Sequence, residues 1–209
     1  MDSKSAQSGY SNSTYTMRPM GFDDIATMTR WFSNFEDIAL FDRNLPVPIG
    51  KEAVEESWKS ALEHSEPPRS LWYMAEDADG EPAGLGGLQA ISYIHGDAVL
   101  PMFIARESRA SGLATAIATV LLDMAFGQLR LHRVTTYYRD GHRASASVTK
   151  KVGFREEGRV RQGWFGDGEY RDVIQVGILG AEWQAVSSGL KQELADKSKI
   201  TMKLEGPVQ

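Results

Sequence analysis

Hydrophobic positions along this chain repeat with two different periods, and the switches between them mark out its elements. Ile25, Met28 and Phe32 keep helical spacing through GFDDIATMTRWF, whose first turn carries Asp23 and Asp24. Val54, Trp58 and Leu62 form one stripe of KEAVEESWKSALEH (51–64), which follows the chain break LPVPIG. Strand-like runs lie at YTMRPM (15–20) and at SLWYMAED (70–77), the second ending in the turn ADGEP. AGLGGLQAISYI and GDAVLPMFIA read as two further strands joined by the tight turn HGD.

The strongest helical signal comes next. Leu113, Ala116, Ile117, Val120, Leu121 and Met124 fall at i, i+3, i+4, i+7, i+8 and i+11, which predicts a helix with one buried face. HRVTTYY (132–138) reads as a strand, and RASASVTKKV as a short helix stopped by Gly153. REEGRVRQGWF, the turn GDGE and YRDVIQVGIL close the pattern with a hairpin. Antiparallel strands followed by a strand–helix–strand–helix–strand unit predict one mixed α/β (α+β) sheet in a single domain.

Composition narrows the reading. Of the 209 residues, 42% are hydrophobic and 24% charged, as in an ordinary globular chain. A net charge of −5 argues against an electrostatic grip on nucleic acid or an anionic membrane, and no apolar run is long enough to span a bilayer. There is no cysteine. Disulfides, thiolate metal sites and a cysteine nucleophile are thereby excluded, and a reducing cytoplasm is the expected compartment. The polar, Ser-rich stretch 1–14 reads as a disordered tail, 15–183 as the domain, and 184–209 as a C-terminal helix and a loosely held tail.

One stretch asks for a chemical explanation. Arg109, Ala110, Ser111, Gly112 and Ala114 strip the bulk from the turn that opens the 113–124 helix, although one good cap would suffice. Unobstructed N–H groups at a helix start suit a phosphate, because orphan donors and the helix dipole both favour an anion. Other phosphate loops fit less well: no G-x-G-x-x-G follows a strand. Gly158 and Gly163 have Walker spacing, but Trp164 and Phe165 stand where Lys-Ser belongs.

RASGLA (109–114) resembles the Q/R-x-x-G-x-G/A signature of the Gcn5-related N-acetyltransferases (GNAT), whose loop holds the pyrophosphate of coenzyme A. The succession LHRVTTYY, SASVTKKVGFREEGRVRQ and DGEYRDVIQVGIL is similar to the branch that acetylates ribosomal-protein N-termini. The resemblance covers about Tyr15 to Trp183. It implies a mostly antiparallel mixed sheet with a splayed central strand, flanked by helices, and transfer of acetyl from acetyl-CoA to an amine without a metal. Arg109, Ala110, Ser111, Gly112, Leu113 and Ala114 would bind the cofactor's phosphates. Met102, Phe103 and Ile104 of VLPMFIA would give backbone amides to its thioester arm, and Pro101 suits a strand that splays.

The resemblance also implies a proton donor. The family's N-x-x-S ahead of G-F reads HRAS here, so Ser145 matches as an acid for the departing thiolate, and His142 replaces the asparagine that bonds the cofactor. Tyr137 and Tyr138 are the next donors in line. Several members of the branch carry a glutamate base shortly after REEGR, where this chain has Trp164 or its neighbour. His95, Asp97 and Asp172 are substitutes to weigh against a plain water chain, and against turn roles for each. Phe35 and Phe41 lie outside the helical spacing of Trp31 and Phe32, so with Trp164 and Asp172 they are candidates to line the acceptor pocket. The acceptor is expected to be a small-molecule primary amine, with a protein N-terminus as runner-up. A non-catalytic acyl-CoA-binding domain is the rival from another class, and a homodimer is compatible with the sequence.

Without cysteine there can be no thioester-linked acyl-enzyme, and direct transfer in a ternary complex is the simplest route. Initial-rate plots with both substrates varied are expected to intersect. Parallel lines, or acetyl label kept by the denatured protein, would contradict this.

Overall fold

The computed structural model describes residues 13–44, 47–63, 65–198 and 200–205. The first twelve residues of the expected tail lie outside that set. Among the described residues, nine strands form one sheet: β1 (Ser13–Pro19), β2 (Leu71–Glu76), β3 (Pro82–Ser92), β4 (Asp97–Val99), β5 (Met102–Ile104), β6 (Arg133–Arg139), β7 (Arg155–Gly166), β8 (Glu169–Leu179) and β9 (Ile200–Leu204). Their order is β7-β8-β6-β4-β3-β2-β1-β9, with β5 pairing β3 beyond the end of β4. The β4–β6 and β1–β9 pairs are parallel and the others antiparallel. The mixed, mostly antiparallel sheet predicted above is therefore present.

Alternation along the central strands sends apolar side chains to both faces, as a sheet between two helical layers requires. Trp72, Met74, Leu85 and Phe103 face one core, completed by Ile25 and Met28 of α1 (Ile25–Trp31), Ile38 of α2 (Phe35–Phe41) and Val54 of α3 (Lys51–Leu62). Ala75, Leu88 and Val134 face the other, with Ile117 and Leu121 of α4 (Leu113–Asp123), Val152 of α5 (Arg143–Val152) and Trp183 of α6 (Gly180–Glu193). The α2 helix was not foreseen. Its signal was the cap: Asn34 Oδ1 accepts from the Glu36 and Asp37 amides, and both acids sit in the first turn.

Two further differences have plain causes. The α4 helix is buried on almost every side, Thr115 and Thr119 included, because α5, α6 and β9 pack around it as well as the sheet. The Thr119 hydroxyl donates to the Thr115 carbonyl at 2.8 Å, which makes its burial tolerable. The expected C-terminal helix is present as α6, and part of the end expected to be loosely held instead completes the fold as β9. Trp183, Leu190, Leu194 and Ile200 are all buried, and β9 extends the sheet beside β1. Their apolar surface needed cover, and polar neighbours masked it in the sequence. Among the described residues, no helix is long and apolar enough to cross a membrane.

Seating of α4 depends on glycine in β3. A Cβ at Gly86 would lie 2.6 Å from Ile117 Cγ2 and 3.1 Å from Leu121 Cδ1. Gly86→Ala is expected to lower unfolding free energy by about 1–3 kcal/mol through overpacking. Urea denaturation measures it, and an unchanged midpoint would show that α4 shifts without cost.

Candidate active site

The sheet opens where β4 gives way to β5. Through Val99, β4 is paired on both sides, with Gln89 on β3 and Thr135 on β6. The Leu100 amide still donates to the Thr135 carbonyl at 2.8 Å. Pro101 has no N–H to continue that ladder, and its carbonyl accepts from the Gly87 amide at 3.1 Å. From there β5 follows β3 alone, while Thr136, Tyr137 and Tyr138 of β6 follow β8 alone. Between them lies a cleft of about 460 Å³.

Strand register decides which β5 groups face this opening. Pro101 and Ala105 bond to β3, and Phe103 shares their parity, so its amide is committed to β3. The amides of Met102 and Ile104 point the other way, into the gap. Of the three strand residues expected to donate there, Phe103 does not. Its ring serves the other face instead, where it packs against Trp31, Phe32 and Phe41 at centroid distances of 5.4, 5.3 and 5.9 Å.

Arg109–Leu113 closes one end of the cleft. Ala110 at φ 59° and Gly112 at φ 93° are both left-handed, the second in a conformation that favours glycine. The amides of Ala110, Ser111 and Gly112 donate to nothing among the described residues. They form a ready set of donors at the α4 N-terminus. Ser111 is engaged otherwise, its hydroxyl donating to the Ser108 carbonyl at 2.7 Å and accepting from the Leu113 amide at 3.2 Å. Arg109 turns back from the loop. It donates to Asp37 at 2.7 Å and to the Ile104 carbonyl at 3.1 Å, and its guanidinium lies 5.8 Å from the Phe103 ring centre.

Asp37, which sequence reasoning passed over, is buried and takes a second arginine, Arg106, at 3.0 Å. This knot fastens α2 to the loop. The signal available for it was an acid just inside a capped helix start.

His142 and Ser145 line the opposite wall at the start of α5, with Ser145 Oγ 2.7 Å from His142 Nδ1. One helical turn separates them, as their spacing predicts. Burial, together with the positive charges of Arg139 and Arg109, holds the His142 pKa below its usual 6.5. The imidazole is therefore neutral at neutral pH, and the pair can pass a proton in either direction. Tyr138 lines the same wall, and burial pushes its phenol up, so it keeps its proton.

Phe41 and Trp164 line the remaining end with Leu40 and Tyr137. Trp164 reaches the cleft through a bulge. Val160 pairs with Val173 and Trp164 with Arg171, so three residues of β7 stand opposite Asp172 alone. Asp172 accepts from the Gln162 amide at 2.9 Å and pairs with Arg159 at 3.4 Å, and both hold its pKa down. It clamps the bulge and stays outside the cleft, contrary to its expected place in the pocket. Phe35 is also outside, 66% exposed, because it starts α2 on the solvent side. His95 and Asp97 lie at the far end of β4 from the opening. Among the described residues, no three His, Asp or Glu side chains gather as metal ligands.

Known proteins resemble this chain in sequence and fold. The family described as the acetyltransferase (GNAT) domain matches residues 15–155. The Bacillus subtilis protein named "Putative ribosomal N-acetyltransferase YdaF" is 31% identical over 106 residues, covering 51% of this chain and 58% of that protein. Spermidine N(1)-acetyltransferase of Escherichia coli K12 is 30% identical over 109 residues, 52% of this chain and 59% of that protein. The matched stretch is thus less than two thirds of either relative. The crystal structure of a Vibrio cholerae spermidine N-acetyltransferase with CoA and spermine superposes with a TM-score of 0.74 at 24% identity, over 81% of this chain and 98% of that one. That likeness establishes a common fold.

The His142 environment can be checked directly. Its imidazole is expected to titrate below 6.5 by NMR, and Arg139→Gln to move the value up. The unfolded chain binds the proton that the folded one resists, so stability should fall as pH drops from 6.5 through the folded-state pKa. A His142 titration above 6.5 would overturn this account.

Proposed function

The chain belongs to the acetyltransferase (GNAT) domain family, and from that membership we propose that it transfers acetyl from acetyl-CoA directly to a primary amine of a small molecule. The observation that carries the reading is the meeting, in one cleft, of unpartnered loop amides, an opened strand and a Ser–His pair. The names of the E. coli and V. cholerae relatives support a small-molecule amine. The B. subtilis relative's name supports the second reading, a protein N-terminus. We place the protein in the cytoplasm, which suits its lack of cysteine.

The amides of Ala110, Ser111 and Gly112 would take the pyrophosphate of the co-substrate, and those of Met102 and Ile104 its thioester arm. An incoming neutral amine attacks the thioester carbonyl, the amide C–N bond forms, and the C–S bond breaks. His142 Nε2 would accept the proton that the amine gives up. The Nδ1 proton passes to Ser145 Oγ, and the Ser145 hydroxyl proton passes to the thiolate, which leaves His142 protonated on Nε2; exchange with water returns the proton to Nδ1 before the next turnover. His142 is neutral at the outset, as this relay requires. It fills the role left open by the missing glutamate.

Two variants test the assignment. Gly112→Asp places a carboxylate among the amides and should weaken CoA binding about a hundredfold by calorimetry in a folded protein. Ser145→Ala should lower kcat about tenfold to a thousandfold and change acetyl-CoA binding little. Unchanged CoA affinity in Gly112→Asp would remove the loop from the cofactor site. Full kcat in Ser145→Ala would move the acid elsewhere, with Tyr138 next.

A further inference from the structure

The wall of the cleft formed by α2, β6 and the β7 bulge is built for a particular kind of amine. Leu40, Phe41, Tyr137 and Trp164 supply its surface. Trp164 is held in place by its indole N–H, which donates to the Ala39 carbonyl at 2.9 Å, and its ring lies 6.4 Å from that of Tyr137. Phe41 is fixed by stacking on Phe32 at 5.0 Å. These are rigid, flat walls of fixed spacing, with aliphatic Leu40 beside them.

The chain's net charge of −5 is not carried by the cleft. Among the described residues, Asp37 is the one carboxylate lining it, and Arg106 and Arg109 already neutralise that group at 3.0 and 2.7 Å. Arg139, paired with Asp167 at 2.7 Å, acts electrostatically on His142 of the same wall, and Arg43 lies 5.5 Å from the centre of the Tyr137 ring. The surplus acids lie elsewhere: Glu52, Glu55 and Glu56 of α3, with Glu63 just past its end, border a separate depression beside Phe22. A polyamine would have to place several ammonium groups where no free carboxylate meets them, and burying an unpaired charge is costly.

We propose that the acceptor is a monoamine carried on an apolar, aryl-sized body, and that polyamines are poor acceptors for this chain. The proposal rests on the acetyl-transfer reading above and narrows its acceptor. A single amine presented by such a body keeps no second charge in the cleft. Desolvation and the surrounding arginines also favour the neutral form of that amine, which is the nucleophile. Aromatic walls match the flat body, and the amine is left next to the opened strand.

The test is release of CoA thiol, followed with a thiol-reactive dye, for purified full-length protein with acetyl-CoA and four acceptors. These are 2-phenylethylamine, n-butylamine, spermidine and a short peptide with a free N-terminus. The expected kcat/KM for 2-phenylethylamine exceeds that for spermidine by about tenfold or more. Trp164→Ala should raise KM for 2-phenylethylamine more than for butylamine, with the smaller change in kcat. Tyr137→Ala, at a partly exposed site, gives the same comparison should the buried tryptophan prove necessary for folding. Spermidine used as well as or better than 2-phenylethylamine would overturn the proposal, as would equal KM changes for the two monoamines in both variants. Turnover of the peptide alone would overturn it too, with acetyl transfer still standing. Thiol release with none of the four, from protein that binds CoA, would overturn the acetyl-transfer reading itself.

Discussion

One missing hydrogen-bond donor organises this molecule. A sheet with every strand paired on both sides has no interior space, and side chains fill whatever its faces leave open. Pro101 ends the ladder between the fourth strand and β6, and the next segment stays with β3. Two strands that began as neighbours then diverge, and backbone groups that would have been consumed in pairing face an opening. The cleft, the exposed amides of Met102 and Ile104, and the access of α5 to the same space all follow from that parting.

The walls of the opening come from distant parts of the chain and are tied to it by polar contacts. The loop at the start of α4 contributes backbone, and its arginine reaches across to α2. Asp172 secures the β7 bulge, and the bulge delivers Trp164, whose indole is anchored in turn to α2. Gly86 in β3 lets α4 sit close against the sheet, with its first turn bordering the cleft. Each contact is a modest interaction by itself. Together they hold four separate segments around a space that none of them could enclose alone.

Much of this was legible in the sequence, for identifiable reasons. The β-strand and helix periods of the second half survive because the burial pattern is strong, and the small residues of RASGLA announce a backbone-lined turn whatever surrounds it. His142 and Ser145 are brought together by one turn of α5, a distance fixed by helix geometry alone. What stayed hidden was tertiary. The role of Asp37 depends on two arginines some seventy positions away, and Asp172 was drawn off to the bulge beside it. The parity of Phe103 was set by register against β3, which no local pattern reveals. The strand β9 was masked by its polar neighbours and by the absence of any local cue to its partner.

The Asp37 knot has a consequence for how such a site can diversify. Asp37 is buried with two arginines on it, so losing the carboxylate takes Arg109 from its acidic partner, and losing either arginine strips donors from a buried acid. Changes at the three positions are therefore expected to come together or not at all in descendants of this chain. Leu40, Phe41 and Tyr137 take no part in that ion cluster, so each can vary without unpairing a charge. Drift in acceptor choice would then run through the lining side chains, with the helix that bears two of them kept in place like a fixed frame holding interchangeable panes.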